Sequence, residues 1–142
     1  RDNIEVCPGT PLLWDQRYAG AFKDLKFFHA AVLVGSIVSK PSEDLICLNL
    51  GHKSVASEMD FPRLKLLNMK NLKQVSHSEE HLVVECNGSD EYSVGTICYA
   101  IPTHICPTVP KYEKVLTVID GEVTGDWKVA ARDHSTKSIL YK

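Results

Sequence analysis

Punctuation dominates this sequence. Short runs rich in β-branched residues recur along most of its length, each bounded by Gly, Pro, Asn or Asp. No window sustains apolar residues at the spacing of three and four that an amphipathic helix needs. The strand candidates are Thr10 to Trp14, His29 to Ser39, Asp44 to Leu50, Arg63 to Leu67, Gln74 to Ser78, His81 to Cys86, Val94 to Ile101, Tyr112 to Ile119 and Trp127 to Arg132. Only Tyr18 to Phe27 and Ser54 to Met59 suggest a helical turn or two. Lys40-Pro41-Ser42-Glu43, Asn87-Gly88-Ser89-Asp90 and Asp120-Gly121 read as hairpin turns between antiparallel neighbours, the last two because Asn or Asp followed by Gly tolerates positive φ. Strands so spaced, without helical crossovers, predict an all-β fold: a single antiparallel β-barrel-like domain over residues 1–142, with one or two short helical turns. Closure is the common way for so short a chain to hide its edges.

The size fits that reading, since 142 residues make one domain with one core. A net charge of −2 gives no electrostatic footprint for nucleic acid. The longest apolar stretch, Ala30 to Val38, is interrupted by Gly35 and Ser36 and falls short of the roughly 20 residues that span a bilayer, so no membrane partner is expected. Five cysteines, Cys7, Cys47, Cys86, Cys98 and Cys106, are an odd number without paired spacing. They are read as reduced, which predicts a cytoplasmic location. Asn87-Gly88-Ser89 matches a glycosylation acceptor but is first a turn signal. The chain opens at Arg1 without Met and runs into Pro8-Gly9-Thr10-Pro11, from which a segment of a longer protein is expected.

Three segments carry chemistry. In Ile101-Pro102-Thr103-His104-Ile105-Cys106-Pro107-Thr108, an extended backbone would put the His104 imidazole and the Cys106 thiol on one face and turn Ile105 inward. Pro102 and Pro107 cannot donate to a ladder, so this run belongs at an edge or a barrel rim or is irregular. Imidazole with thiolate suits a borderline-soft ion such as Zn²⁺, and with only two such ligands the ion would keep open positions. On spacing alone, packing explains the pair as well. Ser76-His77-Ser78-Glu79-Glu80-His81 is dense in ionisable groups, and His81 could serve as an acid, a base or a third ligand, although a solvated turn accounts for the same residues. In Leu50-Gly51-His52-Lys53-Ser54-Val55-Ala56-Ser57-Glu58, Gly51 allows close backbone approach and Lys53, Ser54 and Ser57 could hold an anion; by composition it is a loop.

The strings "IPTHICPTV", "HSEEHLVVE" and "LNLGHKSVASE", with "GTPLLWD" near the start, resemble the C-terminal domain of the D-threonine aldolase and D-serine dehydratase family, from about Val6 to Arg132. The resemblance implies a fold-type III pyridoxal-phosphate (PLP) enzyme whose N-terminal α/β barrel carries the Schiff-base lysine, whose C-terminal β-domain closes the site, and which works as a homodimer. This chain is similar to the second part alone. Carried over, His104 and Cys106 bind a divalent metal beside the cofactor. The Cys form resembles the zinc-dependent dehydratases, whereas Asp and manganese are typical of the aldolases, a division in keeping with ligand softness. The implied substrates are D-3-hydroxy amino acids, with His81 shaping the site or handling protons and Lys53, Ser54 and Ser57 facing the barrel. Asn49 stands where the family often shows Asp, which puts any charge-dependent role there in doubt. The PLP belongs mainly to the missing barrel, so the isolated domain is expected to be inactive and to expose an apolar patch where that barrel docks. Two rivals remain: a stand-alone β-barrel binding module without metal or catalysis, and a small metalloenzyme with His81 or another His as third ligand.

Overall fold

A computed structural model describes residues 3–88 and 91–133. Its main sheet has six strands: β1 (Leu33–Ser42), β2 (Leu45–Leu48), β3 (Leu64–Leu66), β4 (Leu72–His77), β5 (Leu82–Cys86) and β6 (Ile97–Pro102). They lie in the order β3-β6-β1-β2-β5-β4, every pair antiparallel. The sheet curls into a half-barrel. A separate hairpin, β7 (Lys114–Ile119) with β8 (Glu122–Lys128), shares no ladder with it. Two short helices precede β1: α1 (Thr10–Leu13) and α2 (Gln16–Ala21). The architecture is therefore all-β and antiparallel, as the punctuation predicts.

Alternation along the strands builds the core. Leu33, Gly35 and Ile37 of β1 are buried while Val34 and Val38 are exposed and Ser36 is half-buried, the period of two expected of a half-solvated sheet. Leu82, Val84 and Cys86 of β5 meet Ile46 and Leu48 of β2, and Leu64, Cys98 and Ala100 complete the cluster. All five cysteines are free. Val55 and Leu50 enter the same core from the loop after β2. None of the helices among the described residues is long and apolar enough to cross a membrane.

Several sequence expectations need correction. Thr10 to Trp14 is a helical turn and not a strand: Pro11 in its first turn has φ preset for helix, and Trp14, at φ 56°, ends it. The helix expected over Tyr18 to Phe27 covers Gln16–Ala21, because the Asp15 side chain caps it by accepting from the Tyr18 N–H. Ser54 to Met59 gains no helix; the Ser54 and Val55 N–H groups both turn back to the Gly51 carbonyl and the chain then straightens. β1 starts four residues later than expected and runs on through Pro41, where the ladder with β2 slips between Ser39 and Ser42, so no donor is missed. The Asn87-Gly88 turn does not join neighbours, since β5 pairs with β2 and β4 while β6 pairs with β1 and β3; Ser89 and Asp90 lie outside the described residues. Among the described residues the final strand is Glu122–Lys128, and Ala130–Arg132 forms a 3₁₀ turn. Asp120-Gly121 does make the expected hairpin, with φ 52° and 85°.

Candidate functional site

Three stretches far apart in sequence meet beyond the end of β6. The first is the α1–α2 corner. Asp15 is fully buried, and besides capping α2 it accepts the Ile105 N–H at 3.1 Å, tying the corner to the residues after β6. A buried carboxylate with two backbone donors has the compensation its desolvation demands. Nearby, the Thr10 hydroxyl lies 3.3 Å from the Cys106 sulfur.

The second stretch is the turn from His104 to Thr108. β6 stops at Pro102, and Thr108 and Val109 return their N–H groups to the Ile105 carbonyl, so the backbone here is a turn rather than the extended run expected. Ile105 is buried as expected, at the root of that turn. His104, half-buried, and Cys106, exposed, sit on either side of it. Their observed partners differ, Glu58 for His104 and Thr10 for Cys106.

The third stretch is the loop after β2. Glu58 Oε1 accepts from His104 Nδ1 at 2.5 Å across 46 residues of sequence. The two loops are also joined through the buried Thr108, whose hydroxyl donates to the His104 carbonyl at 2.7 Å and accepts the Ala56 N–H at 3.1 Å. Burial acts to raise the Glu58 carboxyl. Its own backbone N–H, the His104 ring and the Arg63 guanidinium outweigh that and hold it below the usual range.

The segments read from sequence as separate, around Lys53 and around His81, form one surface. Gly51, His52 and Lys53 donate their N–H groups to the carbonyls of Glu80, Ser78 and Glu79 at 3.1, 2.8 and 3.0 Å. Any Cβ on Gly51 would collide with the Glu79–Glu80 backbone, which is the close approach expected of that glycine. Lys53 is held by two carboxylates, Glu80 at 2.5 Å and Glu79 at 3.4 Å. Ser54 presents its carbonyl to the Tyr112 hydroxyl at 2.8 Å, and Ser57 is half-buried. His81 is exposed, its carbonyl closing a turn with the Ser78 N–H at 2.8 Å. Beneath this surface His77 donates from Nε2 to the Leu50 carbonyl at 3.0 Å and packs at right angles to the His52 ring, centroids 4.3 Å apart.

Sequence reasoning assigned no role to Asp15, Glu58 or Thr108. Asp15 before Gln16-Arg17-Tyr18 carried a helix-cap signal that could have found it. Glu58 and Thr108 carried none, because their partners lie 46 and 52 residues away. Among the described residues no group of three or more His, Cys, Asp or Glu gathers as a metal cage. His104 and Cys106 nevertheless form a donor set with the right chemistry: the imidazole keeps Nε2 unengaged by Glu58, and the free, exposed thiol lies beside the Thr10 hydroxyl.

Residues 30–118 match the family model described as "Putative serine dehydratase domain". A D-threonine aldolase from Arthrobacter sp. is 28% identical over 112 residues, covering 78% of this chain and 29% of that protein. The solved D-threonine aldolase of Filomicrobium marinum superposes with a TM-score of 0.76 at 23% identity, over 88% of this chain and 34% of that one. D-threo-3-hydroxyaspartate dehydratase from Delftia sp. HT23 gives 0.60 at 14% identity, over 71% and 32%. The two latter likenesses concern the fold. The chain spans about a third of the length of these relatives. A match over residues 30–118, from the start of the sheet into β7, means that this chain belongs to the serine dehydratase domain family.

Proposed function

We propose that this chain is the metal-holding β-domain of a PLP-dependent lyase acting on D-3-hydroxy amino acids. The observation that carries the reading is the pair His104 and Cys106 flanking buried Ile105, where an imidazole and an exposed thiol leave the same tight turn. Solved variants of D-threo-3-hydroxyaspartate dehydratase replace a histidine and a cysteine two positions apart, and the cysteine variant is in a metal-free form. This chain carries the same two residue types at the same spacing.

His104 would supply Nε2 and Cys106 its thiolate, a donor set that favours zinc over manganese. When bound, the metal supplies a Lewis acid for the substrate's β-hydroxyl and PLP an electron sink for its α-carbon. Two protein ligands leave coordination positions for that hydroxyl. His81, exposed near the Lys53 loop, is the proton-handling or shaping group in this reading. Lys53, Ser54 and Ser57 line the side facing the N-terminal PLP-binding barrel, with the Lys53 charge already balanced by Glu79 and Glu80. A chain of 142 residues has no room for an α/β barrel of about 250 residues, so the domain alone is inactive and works within a homodimer of the longer enzyme. Exposed apolar side chains, among them Leu12, Phe28, Val34 and Leu116, offer surface for such a docked partner.

Zinc titration with elemental analysis tests this. Weak zinc uptake by the chain, lost in both His104→Ala and Cys106→Ala, is expected. No uptake by the unaltered chain overturns the metal-holding role, and turnover of D-serine or D-threonine by this polypeptide alone overturns its inactivity.

A further inference from the structure

The Glu58–His104 contact does more than join two loops. An imidazole can donate to a metal from either nitrogen, and which one is free depends on where the ring's single N–H goes. Here a carboxylate accepts from Nδ1 at 2.5 Å, which places the proton there and leaves the lone pair on Nε2. The position of Glu58 is not an accident of a loose side chain. Two residues before it, the Ala56 N–H is bonded to the Thr108 hydroxyl, and that hydroxyl donates to the carbonyl of His104 itself. The carboxylate and the backbone that carries the ring are thus held in register by a bond independent of the one between them. Thr108 is sealed from solvent, so water does not compete for that bracket.

We propose that Glu58 is a positioning residue for His104: its carboxylate fixes the Nδ1–H tautomer and the ring orientation, presenting Nε2 as the metal donor. The inference rests on the metal-holding reading of His104 and Cys106, and extends it to a residue outside that pair. Carboxylate partners of this kind fix the tautomer and raise the basicity of a ligating histidine, and their loss weakens metal affinity about 10–100-fold.

The test has two readouts on the chain as it stands. Long-range ¹H–¹⁵N correlation of the metal-free protein at about pH 8, above the ordinary histidine range, reports which His104 nitrogen is protonated. Zinc or cobalt titration reports affinity. In Glu58→Ala the ring should move toward the Nε2–H form, and affinity should fall about 10–100-fold. Glu58→Gln keeps an acceptor at the same reach and should restore most of both. Glu58→Asp, one methylene shorter, serves as the second disrupting variant if Glu58→Ala does not fold.

Metal uptake by the unaltered chain with unchanged affinity in Glu58→Ala overturns the positioning role while leaving the metal site intact. A tautomer that follows Glu58 in a chain that takes up no metal overturns both, and reduces the contact to a link between loops.

Discussion

The Gln74 amide nitrogen lies 2.6 Å from the Leu64 carbonyl oxygen, and the same amide accepts the Arg63 N–H at 2.8 Å. Gln74 belongs to β4 and Leu64 to β3, the two outer strands of the six-stranded sheet. One side chain therefore makes the pair of bonds that a backbone ladder would make in a closed barrel. Cavities of about 440 and 330 Å³ flank the seam, lined by Leu66, Met69 and Leu72 on one side and by Phe61 and Lys73 on the other.

Removing that amide should loosen the seam. Gln74→Ala is expected to lower stability by about 1–3 kcal/mol, the usual cost of stranding part-buried polar groups. Gln74→Glu keeps the acceptor for Arg63 but sets a carboxylate oxygen against the Leu64 carbonyl, so it should cost at least as much. Urea unfolding of both variants checks the order, and equal stability of Gln74→Ala and the unaltered chain would refute it.

Thr108→Val keeps the shape of a buried side chain but deletes the hydroxyl between Ala56 and His104. The expected loss is about 1–3 kcal/mol, with the freed Ala56 N–H exchanging faster. Thr108→Ser should recover most of it. Amide hydrogen exchange at Ala56 provides the measurement.

His77 sets a pH dependence. Burial pushes its imidazole down, the His52 and Arg63 charges act in the same direction, and acceptance by the Leu50 and Gly51 backbone opposes them without prevailing. Above about pH 6.5 the ring is neutral in both the folded and unfolded chain, and its contribution to stability is fully present. As pH falls through that value the unfolded chain takes up the proton first, so stability declines until the lower folded value is reached. Denaturant midpoints between pH 8 and 5 should fall accordingly, and His77→Gln should flatten that part of the profile. An unchanged slope in the variant would assign the decline to other groups.

Polar replacements in the β7–β8 hairpin should be nearly free. Leu116, Ile119 and Trp127 are more than half exposed, and Leu116→Lys, Ile119→Thr and Trp127→Gln are each expected to change the stability of the six-stranded sheet by no more than about 0.5 kcal/mol. Thermal unfolding followed by far-ultraviolet circular dichroism tests them. A loss of several kcal/mol would mean that the hairpin supports the core.

What was legible in the sequence was what local chemistry decides. Alternation located β3, β5 and β7 within a residue or two, and Asp120-Gly121 announced its hairpin because only that backbone tolerates two positive φ values in succession. Thr10 to Trp14 was misleading because a run of five with Leu12, Leu13 and Trp14 at its end fits a strand as well as a helical turn, and only Pro11 argued for the turn. Asn87-Gly88 signalled a reversal without revealing that β5 and β6 belong on opposite sides of the β1–β2 hairpin. In the site, His104 and Cys106 could be found because their spacing is local. Glu58, Thr108 and Asp15 act through bonds spanning 46 to 90 residues, and no pattern along the chain encodes such a meeting.

The detached hairpin has a spectroscopic consequence. The chain has two tryptophans, and the fold divides them: Trp14 is 1% exposed against Tyr18 and Phe27, whereas Trp127 is 69% exposed on β8, a strand with no buried residue. A two-stranded ribbon without a packed face is marginal in water. Trp127 fluorescence therefore reports the fraying of the ribbon and Trp14 fluorescence the opening of the α1–α2 corner, so a single emission curve from this protein superimposes two different melting events.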